Sequence, residues 1–318
     1  MMRVDFFRPH HVVIQIWGDG VRWLKDGFKQ YGFAYLLILP AVIYLLIFQV
    51  YPLVESIRLS FTNTHLVRKN TGKYIGLDNY KYLFTQDDRF WGIVANSFYW
   101  ILVSLVFQFL VALIVALILD KKLVGRSIWR GFAMVPWMMP VVVVGLIWKW
   151  MFDYHHGLVN FYLKNLGIIR ESINWFGDSK WVWPSLFLAA TWKGFGYLTV
   201  MILAGLQSIP PEVHEAGKVD GTSGFKHLWY ITLPLLKPVL FVSGIVQIIT
   251  GWTKFEMIWV LTNGGPGWAT SILPTYIYTN AFEFFRLGRA SAIAVISTLI
   301  VAAFIVVYYR LLRQAEAN

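Results

Sequence analysis

The sequence predicts an all-α membrane protein with six transmembrane helices, and three observations carry this prediction. Hydrophobic residues make up 57% of the 318 residues and charged residues only 14%, whereas soluble domains average about 25% charged residues. Aromatic residues are frequent, with 16 Trp, 16 Tyr and 24 Phe, as in proteins whose rings anchor at the lipid interface. Six apolar runs are long enough to cross the hydrocarbon core, which takes a helix of about 20 residues.

The predicted spans follow one another with short connectors between most of them. They cover residues 33–54, 91–119, 132–152, 182–206, 239–262 and 286–309. We expect the first span to be retained, because the stretch before it is too long to be the charged start of a signal peptide. The third span contains Pro136 and Pro140, which membrane helices tolerate when neighbouring groups satisfy the freed carbonyls.

Basic residues indicate the orientation of these spans. The net charge of +11 comes mostly from connectors, a pattern typical of membrane topology rather than of nucleic-acid binding. Among the short connectors, 120–130 has the highest density of basic residues: Lys121, Lys122, Arg126 and Arg130. We therefore place it in the cytoplasm. Both termini then face the cytoplasm. Residues 1–32 form an amphipathic segment or an unstructured tail, 33–310 the transmembrane domain, and 311–318 a short tail.

Residues 210–238 form a polar segment between the fourth and fifth spans. Pro211 suits the first turn of a helix that runs to Val219, and Gly221 can end that helix with a positive φ. Thr222 or Ser223 can cap a second short helix. One face of this second helix is largely apolar and consists of Phe225, Leu228, Trp229 and Thr232. From this pattern alone, the helix pair either rests on lipid or docks onto a partner.

The spacing within this segment resembles the EAA signature of ABC-importer permeases, which reads E-A-A-x3-G-x9-I-x-L-P. Glu215-Ala216-Gly217, Gly221 and Ile231-Thr232-Leu233-Pro234 stand at its offsets. Only Gly217 departs from the signature, where alanine is usual. SFTNT at 60–64 and GLDNYKYLF at 76–84 look like outer-loop motifs of binding-protein-dependent sugar permeases. TNGGP at 262–266, followed by YIYTNAFEFFRLGRASA at 276–292, is similar to the maltose-permease larger subunit and to the first permease of glycerol-phosphate and disaccharide importers. The resemblance covers roughly residues 33–310.

The resemblance implies a type I importer permease in which 210–238 is a cytoplasmic coupling-helix pair. By the match, Glu215 makes the charged contact with a separate ATPase subunit and Gly221 provides the turn. The residues that pack in the ATPase groove are, by the same match, Ala216, Gly217, Phe225, Leu228 and Trp229. The implied partners are a second homologous permease, two ATPase subunits, and a periplasmic or lipid-anchored solute-binding protein at a bacterial inner membrane.

The same resemblance places the substrate contacts just before the EAA segment and before the GGP loop. The matching residues are Lys193, Gly194 and Tyr197 in TWKGFGY, and Gln247, Thr250, Gly251, Trp252 and Lys254 in QIITGWTK. The two lysines depart from a neutral-sugar site and favour an acidic oligosaccharide of the alginate or pectin type, or a sugar phosphate. The alternative is structural: Lys254 pairs with Glu256 or extends outward, and Lys193 bonds to helix carbonyls.

An enzymatic function is the competing hypothesis of a different class. A membrane-embedded glycosyl-transferring enzyme would need paired carboxylates or a metal site, but the candidate carboxylates are scattered: Asp153, Glu171, Asp178 and Glu283. The chain has no cysteine and no G-x4-G-K-[ST] phosphate loop, which excludes thiolate metal sites and that class of nucleotide site. We therefore expect no catalytic residue, metal or cofactor in this chain, with ATP and Mg bound by the ATPase subunits.

Overall fold

The computed structural model describes residues 32–121 and 123–317, with side chains through Arg310. Within these residues the secondary structure is helical, apart from an isolated bridge between Thr62 and Tyr74. The chain divides into two units, Met1–Arg58 and Leu59–Asn318. The predicted amphipathic segment at 1–32 lies outside the described residues, except for Gly32.

Among the residues that the structure describes, five helices are long and apolar enough to cross a membrane. They are α1 (Gly32–Ser60), α3 (Phe90–Asp120), α7 (Val182–Gln207), α9 (Gly224–Thr253) and α12 (Leu287–Ala317, apolar through Arg310). Shorter helices lie between them: α2 (Asp78–Thr85), α4 (Arg126–Met138), α5 (Val141–Met151), α6 (Leu158–Asn165), α8 (Pro211–Val219), α10 (Glu256–Thr262) and α11 (Leu273–Tyr278). Counting α4 and α5 as one bent span gives six, in agreement with the prediction.

The third predicted span, 132–152, is not one straight helix. It begins earlier, at Arg126, and α4 and α5 meet at an angle of 90°. Pro140 disfavours helical backbone at the residue before it, and Met139 is accordingly extended, with φ −65° and ψ 142°. Pro136 lies buried inside α4 and does not end it. The break in the third span is therefore due to Pro140 and not to Pro136.

The fifth predicted span, 239–262, is shifted towards the N-terminus. Helix α9 begins at Gly224 in the coupling segment, passes through a π-helical turn at Leu228–Thr232, and ends at Thr253. Pro234 and Pro238 thus lie within the helix. Lys254 is extended, and the predicted end of the span forms the separate helix α10, with Glu256 at its positive N-terminal end.

Two buried apolar clusters surround the middle of the second unit. One contains residues near the start of α3, such as Phe90 and Ile93, together with residues of α5, α10 and α12. The other lies near the end of α3, where Ala112 and Ala116 are fully buried against α7. Small residues four apart allow two membrane helices to approach closely. The two clusters thus hold α3, α7 and α9 together.

Candidate functional site

A cavity of about 250 Å³ lies between α3, α4, α7, α9 and α10. Six of the eight predicted substrate residues line it: Lys193, Gly194, Gln247, Thr250, Gly251 and Lys254. Trp100, Trp137, Ser104, Gln108 and Glu256 contribute further surface. The fold therefore brings together two stretches that are more than fifty residues apart in the sequence.

The two lysines of the cavity have different surroundings. Lys193 donates a hydrogen bond to the backbone carbonyl of Trp137, which lies in the last turn of α4 where carbonyls lack helical partners. This is the carbonyl contact named as the structural alternative for Lys193. Lys254 is exposed, and the part of the chain that the structure describes contains no ion pair between it and Glu256 within 4.0 Å. The predicted alternative of a Lys254–Glu256 pair is therefore not formed.

Gln108 is a cavity residue that the sequence reading missed. Its Oε1 accepts a hydrogen bond from Gln247 Nε2 at 3.0 Å, and its Nε2 donates to the Ala190 carbonyl at 3.3 Å. Gly194 leaves room for this amide, since a Cβ there would stand 2.4 Å from the Gln108 side chain. Ser104, one helical turn earlier, has a buried Oγ with no hydrogen-bond partner among the described residues. Ser104 and Gln108 lie four residues apart in an apolar stretch of α3, and this spacing is the sequence signal that could have identified them as cavity residues.

Tyr197 and Trp252 do not line the cavity, contrary to expectation. Tyr197 stacks on Trp137 with ring centroids 5.7 Å apart. Trp252 is buried, and its Nε1 donates to Ser297 Oγ at 2.8 Å, which ties α9 to α12. Trp100 and Trp137 provide the aromatic surface of the cavity instead.

The predicted coupling segment folds as two helices joined by a tight turn. Helix α8 ends at Val219 and Gly221 has φ 78°, as the pattern predicted. Neither Thr222 nor Ser223 caps α9 with its side chain. Thr222 Oγ1 instead donates to the Gly217 carbonyl at 2.6 Å. The turn is thus held by a bond back to the first helix.

A pair of histidines joins the two helices of the coupling segment. His214 Nδ1 and His227 Nε2 lie 2.7 Å apart, and Thr222 Oγ1 lies 3.2 Å from His227 Nδ1. Gly217 is the buried residue of α8 and faces this cluster. The histidines thus link α8 to the first turn of α9, a contact that no spacing in the sequence indicates.

The opposite side of the coupling segment is exposed and partly apolar. Phe225 is 73% exposed and Trp229 57% exposed, and their rings stack with centroids 6.0 Å apart. Glu215 and Ala216 are also exposed, and Leu228 is half-buried. Gly217, by contrast, is buried within the pair, so it supports the surface without forming part of it.

A family model described as "Binding-protein-dependent transport system inner membrane component" matches residues 108–317. The chain belongs to this family. It is therefore the membrane-spanning permease subunit of an ABC importer that works with a solute-binding protein. Members of the family are transport subunits, so the hypothesis of a glycosyl-transferring enzyme is wrong.

Two relatives illustrate the range of the family. The chain is 35% identical over 295 residues to the sulfoquinovosyl glycerol transport system permease protein SmoG of Agrobacterium fabrum, covering 93% of this chain and 94% of that protein. It is 35% identical over 293 residues to the trehalose/maltose transport system permease protein MalF of Thermococcus litoralis, covering 90% and 95%. The matches extend over nearly the whole chain in both cases.

The fold is also found in solved structures. A chain of a bacterial ABC transporter involved in the import of the acidic polysaccharide alginate superimposes with a TM-score of 0.78 at 23% identity, covering 92% of this chain and 99% of that one. A chain of a bacterial alginate ABC transporter in complex with an alginate pentasaccharide-bound periplasmic protein also superimposes with a TM-score of 0.78. The predicted type I importer permease fold is thereby confirmed.

Proposed function

We propose that this permease carries an acidic oligosaccharide inward across a bacterial inner membrane. The observation that carries the proposal is the pair of lysines on one cavity, Lys193 and Lys254, neither of which forms an ion pair in the described residues. A charge within a membrane domain is costly and marks a functional site by default. A carboxylate-bearing sugar supplies the missing counter-charge through charge-assisted hydrogen bonds.

The rest of the cavity suits the sugar ring. Trp100 and Trp137 offer flat apolar surface for the ring face, while Gln108, Gln247 and Thr250 offer hydrogen-bonding groups for hydroxyls. Both named relatives transport glycosides by their names, and the sulfo group of sulfoquinovosyl glycerol is anionic. These names support a carbohydrate as the substrate, and the two lysines of the cavity support a negatively charged one.

The exposed face of the coupling segment supports docking onto an ATPase subunit. Phe225 and Trp229 present a stacked aromatic surface in the first turns of α9, and Glu215 on α8 is exposed as well. Exposed apolar patches of this kind mark interaction sites. We propose that a second homologous permease and two ATPase subunits complete the importer, and that the ATPase subunits bind ATP and Mg. Closure of the ATPase pair would then rock the spans through the coupling segment.

The arrangement of helix ends supports a cytoplasmic location for the coupling segment. The end of α3, the start of α4 and the end of α7 line one crevice, and α8 follows α7 after three residues. The densest basic connector, 120–130, therefore lies at the same end of the bundle as the coupling segment. The positive-inside rule supports a cytoplasmic location for that end, and with six spans we propose that both termini lie on the same side.

The test is ligand-stimulated ATPase activity of the reconstituted importer with its binding protein. Neutral oligosaccharides, uronic-acid oligosaccharides of equal length and sugar phosphates are compared. We expect the uronic-acid series to stimulate most, and Lys254→Gln to lower its apparent affinity about tenfold, the loss of one charge-assisted bond. Lys149→Gln, an exposed lysine at the end of α5, is the control.

Three outcomes distinguish the substrate classes. Equal stimulation by neutral and acidic oligosaccharides, unchanged in Lys254→Gln, would refute the acidic substrate. Stimulation by sugar phosphates alone would indicate that the two lysines bind the phosphate group of a sugar phosphate. Stimulation by the uronic-acid series whose apparent affinity falls in Lys254→Gln but not in Lys149→Gln would support the proposal.

A further inference from the structure

A second cavity lies at the end of the bundle that carries the coupling segment. It is a crevice of about 240 Å³ between the last turn of α3, the first half of α4 and the last turns of α7. Its walls are mainly apolar and include Leu119, Met134 and Leu203. It is separate from the substrate cavity, since the two share no lining residue.

Arg130 stands in this crevice with unsatisfied donors. Its Nε and Nη2 atoms are buried and have no hydrogen-bond partner among the described residues, and no carboxylate there lies within 4.0 Å of the guanidinium. Buried donors without partners are unfavourable, and more so when the group is charged. Nε and one terminal nitrogen form the fork with which a guanidinium binds two oxygens of one oxyanion. An oxyanion in the crevice would accept hydrogen bonds from both donors.

The surroundings of Arg130 are those of the membrane interface. Trp129 and Phe132 are 56% and 64% exposed, and their ring centroids lie 6.2 Å apart. Exposed aromatic residues at helix ends sit at the level of the lipid headgroups. Lys121 and Arg126 are exposed nearby in sequence and add positive charge to the same connector. The apolar walls of the crevice match the acyl chains of a phospholipid, and the nearby cations match its phosphate headgroup.

We propose that this crevice is a binding site for an anionic phospholipid. The phosphate accepts hydrogen bonds from the Arg130 fork, and acyl-chain methylene groups cover Leu119, Met134 and Leu203. A free inorganic anion would satisfy the arginine but leave the apolar walls in contact with water. Basic pockets between membrane helices on the cytoplasmic side recognise lipid headgroups by this chemistry. The site goes beyond substrate transport and is independent of which sugar the cavity binds.

The test compares Arg130→Gln with Arg126→Gln in the complete importer. Both substitutions remove one positive charge from the same helix, but Arg126 is exposed and does not line the crevice. The purified complexes are placed in phosphatidylcholine nanodiscs with increasing fractions of phosphatidylglycerol. Retained phosphatidylglycerol is then counted by native mass spectrometry, and ATPase activity is recorded.

We expect wild type and Arg126→Gln to retain phosphatidylglycerol alike, and Arg130→Gln to bind it about fivefold more weakly, the effect of one basic residue at the headgroup. Arg130→Lys, which keeps the charge but loses the fork, should lie between them. Inorganic phosphate should not displace the lipid. Thermal unfolding in pure phosphatidylcholine, equal for all variants, shows that the loss is not due to misfolding.

Four outcomes would overturn the proposal. Arg130→Gln could retain as much phosphatidylglycerol as wild type. Arg126→Gln could lose as much as Arg130→Gln, which would indicate unspecific attraction to the basic connector. Inorganic phosphate could compete, which would indicate a free-anion site. Arg130→Gln could separate the subunits without changing lipid retention, which would assign the arginine to a carboxylate of a partner subunit.

Discussion

Gly217 lies so close to Ile231 that a Cβ at position 217 would stand 2.4 Å from the Ile231 Cδ1 atom. The same Cβ would be 3.0 Å from Thr222 Oγ1 and 3.1 Å from His227 Cε1. The single departure of the coupling segment from its signature thus has a structural reason. The space that alanine would fill is taken by Ile231 and by the hydrogen-bonded cluster of Thr222 and His227.

Gly217→Ala should therefore fail to stabilise the protein, although it restores the usual residue. Alanine favours the helix by about 1 kcal/mol relative to glycine. Overpacking a filled site costs about 1–3 kcal/mol, because Ile231 must move and the Thr222–Gly217 bond must adjust. We expect a small net loss of thermal stability and of transport, measured on the purified complex.

Ile231→Val supplies the matched test, because it removes the Cδ1 atom that the new methyl group meets. The double variant should be more stable than Gly217→Ala alone, whereas Ile231→Val by itself should cost about 0.5–1.5 kcal/mol. A double-mutant cycle measures this coupling directly. Strictly additive effects of the two substitutions would contradict the contact.

Much of the fold could be predicted because the relevant signals are local. Span length, the turn at Gly221 and the helix Pro211–Val219 follow from composition and single-residue preferences. The interruption of the third span could also be expected from its prolines. The angle of 90° could not, because it depends on tertiary contacts such as that of Gly145, where a Cβ would lie 2.6 Å from Val260 on α10.

The site could be predicted less completely, and the reason lies in how helices rotate. Thr250 and Gly251 face the cavity, but Trp252 is one further step around α9 and points to Ser297. Tyr197 shares the helical face of Lys193, but its ring stacks on Trp137 of α4. Gln108 lies in an apolar stretch of α3, and only tertiary packing reveals its bond to Gln247.

Replacement of Glu215 by alanine tests the proposed coupling role. Glu215 is exposed and has no ion-pair partner in the described part of the chain, so the isolated subunit should keep its stability. In the assembled importer we expect transport and ligand-stimulated ATPase activity to fall at least about tenfold, because a charged contact across an interface is lost. Both activities are measured in proteoliposomes.

Glu212→Ala is the control for this substitution. Glu212 is also exposed and lies on the same helix, in its first turn, but it stands outside the signature. We expect it to leave coupling nearly unchanged. If Glu215→Ala transports normally, or if both variants lose activity equally, Glu215 has no specific docking role.

Gly194→Ala should disturb the amide network of the substrate cavity. The new methyl group would stand 2.4 Å from Gln108 Oε1 and 2.8 Å from Nε2. The amide must then turn away, which breaks its bond to Gln247. We expect transport to fall about tenfold, the loss of one to two hydrogen bonds in the site, while the complex still assembles.

Gly251→Ala separates this clash from the mere addition of a methyl group. Gly251 lines the same cavity, but the nearest atom to its new Cβ, Ile101 Cγ1, is 4.0 Å away. Its effect on transport should be clearly smaller than that of Gly194→Ala. A reversed order of the two effects would show that the Gln108–Gln247 bond is not what transport requires.

Tyr276→Phe tests a contact between the connector after α2 and helix α11, in which the Tyr276 hydroxyl donates to Asp87 Oδ2. Burial, and then the bond to Asp87, raise the pKa of Tyr276 above its ordinary value of 10.0. The folded protein therefore holds the phenol protonated where the unfolded chain would ionise it. The stability from this group is fully present below about pH 10 and declines as the pH rises further.

We expect Tyr276→Phe to lower the free energy of unfolding by about 1.5–3 kcal/mol at neutral pH, the range for a hydrogen bond to a charged group. The variant should also lose less additional stability than wild type above about pH 10, because it has no phenol to ionise. Thermal unfolding of the purified complex at neutral and at alkaline pH measures both effects. Tyr74→Phe, at a tyrosine that is 69% exposed, is the control and should differ little from wild type. Equal alkaline losses in wild type and Tyr276→Phe would contradict the role of the Tyr276–Asp87 bond, because the decline would then come from other groups.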